Sequence, residues 1–296
     1  METKSINGVQ FLELMRGGAA NLQANVKIVN DLNVFPIPDG DTGANMTQTV
    51  TGGIASASAC QSSAISSVSD ALAQGMILSA RGNSGVILSQ FFSGIAKGFH
   101  NIDVADVPTI GFAFRSGVRR AYDAVMKPTE GTMLTVMREA AEYACSRISE
   151  ESTIEDFFAD YLQEMNASLQ RTPEYLEVLK EAGVIDSGGA GLVYIIDGMN
   201  QVLHGETQFQ PNEAPTTSPI DTSRFNEDSV MEFGYCTEFL LQLQCSKGSI
   251  ENFSLEGFKR QLNDMGDSIV AFQVGSIVKV HIHSMHPGRI LEFCQS

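Results

Sequence analysis

Two carboxylates in a short proline-containing segment are the residues of this chain most clearly suited to chemistry. Asp39 and Asp41 are separated by one glycine, and Pro36 and Pro38 just before them interrupt any helix. Mg²⁺ commonly takes one or two protein carboxylates and leaves positions open for phosphate oxygens. The segment therefore predicts a divalent-cation site. A surface turn is the alternative, because Asp-Gly pairs are common turn formers.

Several familiar site patterns are excluded by spacing. A calcium EF-hand loop counted from Asp39 would need glycine at Ala44 and glutamate at Val50. The later glycine-rich stretches match neither the dinucleotide-binding fingerprint nor the P-loop, and the protein-kinase signatures are missing from the sequence.

Further small polar clusters each precede a helical pattern, where exposed backbone N–H groups form a natural phosphate site. With the residues after Asp41, the cluster members are Thr42, Asn45, Met46, Gly82, Asn83, Ser84, Thr132, Met133, Asp186, Ser187 and Gly188. Helix capping is the alternative for Asn83, Ser84 and Thr132, and core packing is the alternative for Met133. Together the clusters predict helix ends that converge on a phosphate ligand.

A second candidate site lies near the end of the chain. Alternation places His281 and His283 on one face of a predicted strand, and Cys236 lies on another strand that could pair with it. Cysteine with two histidines supplies three of the four ligands of a zinc site. Glu238 or His286 would be the fourth ligand, and the alternative is two polar side chains on a solvated strand face.

The elements that must position these residues change character along the chain. Residues 1 to 205 show mainly helical periodicity, and the segment from Val86 to Phe99 is apolar on nearly all sides, which predicts a buried helix. Prolines and small polar residues predict a linker at 206–228. A small α+β unit is expected at 229–296, in the order strand, helix, strand, strand, helix. The predicted strands are 233–243, 269–274 and 277–282, and the predicted helices are 255–265 and a last one from Pro287.

Bulk composition narrows the class of protein. The 296 residues carry a formal net charge of −16, which argues against an unaided binder of nucleic acid or of anionic membranes. No apolar run is long enough to span a membrane. The five cysteines form no C-x-x-C pair, which favours a cytoplasmic protein without disulfides, and Cys60, Cys145 and Cys245 are expected in the core.

Taken in order over residues 5–205, the four clusters resemble the nucleotide-binding L domain of dihydroxyacetone kinases, and more closely the ATP-binding component of the bacterial fatty acid kinases. The resemblance implies an all-α N-terminal domain, an eight-helix antiparallel barrel, followed by the small α+β domain. It implies ATP bound with two Mg²⁺ ions, to which Asp39 and Asp41 contribute, and Asn33 lies nearest to the position of a third metal ligand. The residues implied to contact nucleotide are Thr42, Asn45, Met46, Gly82, Asn83, Ser84, Thr132, Met133, Asp186, Ser187 and Gly188.

The resemblance extends to the unit after the linker. It implies that Cys236, His281 and His283 bind zinc and that the His-x-His pair is needed for activity. It also implies that a further domain follows Ser296, and that a separate protein presents the fatty acid whose carboxylate is phosphorylated. A phosphotransferase acting on a small polyol and a non-catalytic nucleotide-binding regulator are the alternatives, and a homodimer is one expectation for the assembly.

Overall fold

The computed structural model of the chain describes residues 3–206, 234–245 and 248–295. These residues form two compact units. One holds the described residues up to 122 and from 129 to 206, and the other holds residues 123–128 and the described residues from 234 onward. After Glu206 the predicted linker lies outside the described residues, as do Phe233 and Ser296, so the predicted domain boundaries stay predictions.

The first unit is built of helices. Eight of its helices are 15 to 22 residues long. In chain order the helices are α1 (Gly8–Ala24), α2 (Val26–Asp31), α3 (Thr42–Ser58), α4 (Ile65–Ser79), α5 (Gly82–Gly98), α6 (Val107–Ala124), α7 (Met133–Arg147), α8 (Ile154–Tyr175), α9 (Glu177–Ala182) and α10 (Ser187–Leu203). Two three-residue strands, β1 (Ser5–Asn7) and β2 (Val104–Asp106), pair antiparallel, which the sequence did not predict.

The long helices pack in a ring that closes on itself. Helix α1 packs against α10, α10 packs against α7 and α8, and on the other side α3, α4 and α5 pack together with α1 against α3 and α4. Helix α6 completes the ring, because Phe114 makes edge-to-face contacts with Phe91 on α5 and with Phe157 on α8. The predicted eight-helix barrel is confirmed, and the starts of α3, α5, α7 and α10 lie at its rim.

Helix α5 is buried as predicted. Val86, Leu88, Phe91 and Ile95 are fully inaccessible to solvent. A helix that is apolar on nearly every side needs neighbours on every side. Its position in the barrel therefore fixes the polar residues at its start.

The second unit is the predicted α+β unit. Its described elements are β3 (Tyr235–Gln242), a 3-10 turn (Ile250–Asn252), α11 (Leu255–Asn263), β4 (Asp267–Val274), β5 (Ile277–Ser284) and α12 (Pro287–Gln295). The strands form an antiparallel sheet in the order β3-β5-β4, so the predicted order of elements is confirmed, although α11 ends two residues early and β4 and β5 are longer than expected. Val278, Val280 and Ile282 of β5 are buried in a core shared with Leu262 and Ile290.

All five cysteines are free thiols, as expected. Their predicted placement in the core is wrong for Cys245, which is exposed, and Cys60 and Cys145 are only partly buried. Separately, none of the helices in the described part of the chain has both the length and the apolar character that a membrane crossing demands.

Glycine at the contact between α5 and α6 is expected to be required for stability. A Cβ atom at Gly94 would lie 2.5 Å from the backbone oxygen of Ser116, and backbone cannot move aside cheaply. Gly94→Ala should lower the free energy of unfolding by about 1–3 kcal/mol in chemical denaturation, the usual range for overpacking. Gly288→Ala in α12, where a Cβ meets nothing within 4 Å, is the control and should be neutral or stabilising. Equal effects of the two changes would contradict the close helix contact.

Candidate functional site

The paired carboxylates lie in the loop between α2 and α3. Asn33 is buried, and its Nδ2 donates to Oδ1 of Asp39 at 2.6 Å. Partial desolvation and the adjacent negative charge of Asp41 raise the pKa of Asp39 to about 6, and the hydrogen bond from Asn33 lowers it in part. Asp41 is the N-cap residue of α3, but its side chain makes no capping bond to the described start of that helix. Two carboxylates held this close are a suitable ligand pair for a hard divalent cation.

Asn30 on α2 holds the start of α3 in place. Its Oδ1 accepts from the backbone N–H groups of Gly43 at 2.7 Å and Ala44 at 3.2 Å. The contact is close, because a Cβ at Gly43 would lie 2.6 Å from the backbone oxygen of Val26. Sequence reasoning missed Asn30, since this cap comes from a neighbouring helix and leaves no local capping pattern.

The second cluster lies against the first. Gly82 opens α5 with φ of +58°, and a Cβ there would lie 2.5 Å from Nδ2 of Asn45 on α3. Only glycine combines that backbone conformation with so close an approach. The capping alternative is wrong for Asn83 and Ser84, because the N-cap of α5 is Arg81 and no side chain in the described part of the chain caps this helix. Oδ1 of Asn83 is buried and has no hydrogen-bond partner among the described residues.

The fourth cluster meets both the first and the third. Asp186 is buried, and its Oδ2 accepts from the N–H of Gly189 at 2.7 Å, which caps α10. The N–H of Met133, at the start of α7, donates to the same carboxylate. The hydroxyl of Ser187 donates to Oγ1 of Thr42 at 3.3 Å. One carboxylate therefore joins the starts of two helices, and its neighbour reaches a third.

Three side chains of these clusters have structural roles. Thr132 caps α7 by accepting from the N–H of Leu134 at 3.3 Å, the alternative that the sequence left open. Met46 is fully buried, and its Sδ lies 2.6 Å from where a Cβ at Gly191 would be. Met133 is also buried, with Sδ 3.2 Å from the corresponding point at Gly188. All four helix starts are thus brought together at one rim of the barrel.

The second candidate site lies on β3 and β5. The register pairs Cys236 with His283 and Glu238 with His281. Nε2 of His281 lies 2.9 Å from Nε2 of His283, and Nδ1 of His281 lies 2.9 Å from Oε1 of Glu238 and 3.9 Å from Sγ of Cys236. The thiol and imidazole ligand atoms all lie within 4.8 Å of one another, as a shared metal ion would require.

The histidines do not lie on a solvated strand face. His281 and His283 are 2% and 5% exposed, so that alternative is wrong. Burial and the neighbouring His281 lower the pKa of His283 to about 4, and Nδ1 of His283 has no hydrogen-bond partner among the described residues. Neutral imidazoles are the form that binds metal. Glu238 is adjacent to the cluster, whereas His286 is exposed.

Comparison with known proteins identifies the family. The family model for the DAK2 domain matches residues 36–201, which include all four clusters. The chain belongs to the DAK2-domain family. A second model, described as the middle domain of FakA-like fatty acid kinase proteins, matches residues 232–296 and includes the Cys-His-His cluster.

Relatives of this DAK2 protein extend beyond the matched region. Protein YloV of Bacillus subtilis is 39% identical over 302 residues, covering 100% of this chain and 54% of that protein. An uncharacterized protein of Staphylococcus epidermidis is 37% identical over 296 residues, covering 98% of this chain and 53% of that protein. The chain therefore spans about half the length of the curated relatives it matches.

Solved structures show the same fold for the DAK2 domain. The dihydroxyacetone kinase of C. freundii in complex with AMP-PNP and Mg²⁺ has a TM-score of 0.52 and 16% identity, over 68% of this chain and 35% of that one. The native form of the same enzyme has a TM-score of 0.50 and 17% identity, over 68% and 36% of the two chains. The helical barrel is thus a kinase-like fold.

The buried carboxylate of Asp186 gives a pH-dependent prediction. Burial raises its pKa from 3.8 to about 6, although the N–H groups of Gly189 and Met133 lower it in part. A raised pKa means that protonation favours the folded state, so this stability is fully present below about pH 4 and is lost as the pH rises through 6. Relative to Asp186→Asn, the parent should gain about 1–2 kcal/mol of unfolding free energy when the pH falls from 8 to 5. Chemical denaturation at both pH values measures this difference.

The exposed Asp31 supplies the control for this measurement. Asp31→Asn should show the parent's own pH dependence between pH 5 and 8. A parent-minus-Asp186→Asn difference that stays constant between the two pH values would contradict the assignment.

Proposed function

We propose that this chain is an ATP- and Mg²⁺-dependent kinase component that phosphorylates the carboxylate of a fatty acid presented by a separate lipid-carrier protein. The observation that carries the proposal is the convergence of four helix starts on the pair Asp39 and Asp41. Helix starts favour anions through their N–H groups and dipoles, and the carboxylates favour the cations that accompany a polyphosphate.

The residues fit the proposed metal ions. Asp39 and Asp41 provide acidic oxygens, and the carbonyl oxygen of the Asn33 amide is a further possible ligand because its Nδ2 is the atom that donates to Asp39. Removal of a proton from Asp39 is opposed by Asp41, and a bound cation would relieve this repulsion. When bound, Mg²⁺ would neutralise charge on the transferring phosphoryl group.

The residues also fit a nucleotide. Gly82 and Gly188 leave space where side chains would obstruct the helix starts, and Asn83 retains a buried amide oxygen without a partner among the described residues. Such an amide can also present its NH₂ group after a flip. Thr42 and Ser187 place two hydroxyls beside the carboxylate loop. Met133 would border the base, since it is buried at the start of α7 against Gly188.

The proposed reaction needs positioning more than covalent catalysis. An oxygen of the acyl carboxylate would attack the γ-phosphorus of ATP while the bond to the bridging oxygen of ADP breaks, giving acyl phosphate and ADP. The attacking carboxylate is already ionised, so no general base is required. The chain's own residues would hold the triphosphate in line and exclude water.

The nature of the acceptor rests on the second unit. Its match to the middle domain of FakA-like fatty acid kinase proteins supports an acyl substrate over a small polyol. The second candidate, transfer to a small polyol such as dihydroxyacetone, is favoured only by the structural likeness of the barrel. The five free thiols support action in a reducing cytosol.

We also propose that Cys236, His281 and His283 hold Zn²⁺. Three ligands leave one position open, for water, for substrate or for Glu238. The burial of both histidines supports this role, as does Nδ1 of His283, which has no partner within the described part of the chain.

Turnover assays test the kinase proposal. ATP hydrolysis and transfer should require both Mg²⁺ and fatty acid supplied with its carrier, and dihydroxyacetone should not replace them. Asp41→Asn should reduce turnover at least about a hundredfold, because one of the carboxylates that would neutralise and place the cations is removed. The exposed Asp31→Asn should match the parent. Transfer to dihydroxyacetone alone would favour the polyol hypothesis, and ATP binding without turnover under any condition would favour a regulator.

Elemental analysis tests the zinc proposal. Cys236→Ser should lower the zinc content of the purified protein from about one equivalent and should weaken its retention against a chelator. Cys245→Ser is the matched control, because this thiol is also exposed and lies outside the cluster. Equal zinc contents in the two variants would refute the site.

A further inference from the structure

The loop before α7 is fixed by a buried threonine one turn into that helix. Thr135 is fully inaccessible to solvent, and its Oγ1 accepts from the backbone N–H of Gly131 at 2.8 Å. The same hydroxyl donates to Oε2 of Glu130 at 2.6 Å. The hydroxyl therefore acts as both donor and acceptor, and both partners precede the helix that Thr135 belongs to.

Glu130 connects this threonine to two further side chains. Its Oε1 accepts from the hydroxyl of Tyr122 at 3.0 Å, and its Oε2 also accepts from Nη2 of Arg138 at 3.0 Å. Nε of Arg138 donates to the hydroxyl of Tyr122 at 3.2 Å. The carboxylate thus closes a ring of bonds that joins the end of α6, the loop and the second turn of α7.

Backbone geometry makes the loop dependent on these bonds. Gly131 is buried and has φ of +80°, and a Cβ there would lie 2.7 Å from Cβ of Tyr175 and 2.9 Å from the backbone oxygen of Thr172 on α8. A loop pressed this closely against a helix has little room to relax. Without Thr135, the buried N–H of Gly131 would lose the acceptor that satisfies it, and a buried unpaired donor is costly.

The bonds are directed at the nucleotide cluster. Gly131 is followed by Thr132, which caps α7, and by Met133, whose N–H donates to Asp186 and whose Sδ lies against Gly188. The ring itself is separate from the four clusters. Glu130 is 44% exposed, so the buried hydroxyl of Thr135 is the principal anchor.

From these contacts we infer that Thr135 and Glu130 are positioning residues for the nucleotide site, acting by holding the start of α7 where Met133 meets Asp186 and Gly188. This inference rests on the proposed function only for the identity of the ligand. The ordering of the loop can be measured without any ligand, so the two can fail separately.

The first measurement is amide hydrogen exchange without nucleotide. Thr135→Val keeps the shape of the side chain and removes both hydrogen bonds, so exchange across residues 129–137 should become about tenfold faster. Thr135→Ser retains the hydroxyl and should stay within about threefold of the parent. Unchanged exchange in Thr135→Val would overturn the inference.

The second measurement is MgATP affinity, with Glu130→Gln as an independent variant that leaves the bond between Thr135 and Gly131 intact. Thr135→Val should weaken binding about tenfold and Glu130→Gln about threefold or more, with zinc content unchanged. Glu142→Gln is the matched control, since Glu142 also contacts Arg138, at 3.6 Å, but is 66% exposed and lies on the helix rather than in the loop.

Each outcome bears on a different claim. Faster exchange with unchanged affinity in Thr135→Val, or equal losses of affinity in Glu130→Gln and Glu142→Gln, would overturn the positioning role. If Thr135→Val does not fold, Glu130→Gln carries both measurements. A parent that binds no MgATP would refute the proposed function of the site, and exchange would then still decide whether the pair orders the loop.

Discussion

The arrangement of the barrel rim depends on one buried carboxylate that serves two helices. Asp186 caps its own helix through Gly189 and accepts the first N–H of α7 from Met133. Burying a carboxylate is unfavourable unless hydrogen bonds compensate for the lost water, and both of these donors come from helix starts, where N–H groups have no partner within the helix. The bonds are therefore obligatory for both groups, and they keep the starts of α7 and α10 adjacent.

The same physical requirement recurs at each neighbouring position. Asn30 satisfies the first N–H groups of α3, and Thr135 satisfies the N–H of Gly131 before α7. In each case a side chain from outside the local segment completes a backbone group at a helix start. The rim is consequently rigid where a ligand would be placed, while the carboxylates of Asp39 and Asp41 remain accessible at its edge.

Much of this architecture could be predicted from the sequence, because it depends on local pattern. The apolar surface of α5 required burial, and the alternation around His281 and His283 required a strand with Val280 and Ile282 on the opposite face, and both are confirmed. The ribbon of β1 and β2 was missed, since three-residue strands contain too few residues for alternation to be detected. Exposure of Cys245 was also missed, because the hydrophobic character of a thiol does not determine its position.

The partners of the site residues could not be predicted from the sequence. Asn83 and Ser84 look like helix caps in isolation, but the close contact between Gly82 and Asn45 sets the start of α5 instead. That contact joins residues from helices that are distant in sequence. Asn30 and Thr135 act on backbone atoms, so their partners place no requirement on side-chain type that a motif could reveal.

Charge gives the last constraint on what the rim can bind. A helix start carries about half a positive charge, so the four starts at α3, α5, α7 and α10 together supply about +2. The ionised carboxylates of Asp39 and Asp41 cancel that amount, and the chain as a whole has a net charge of −16. The helix starts can therefore orient a polyphosphate through their N–H groups, but they cannot attract one by charge alone. In the proposed function, divalent cations must supply the attraction, and the acidic pair that weakens the rim as an anion site is the feature that would recruit them.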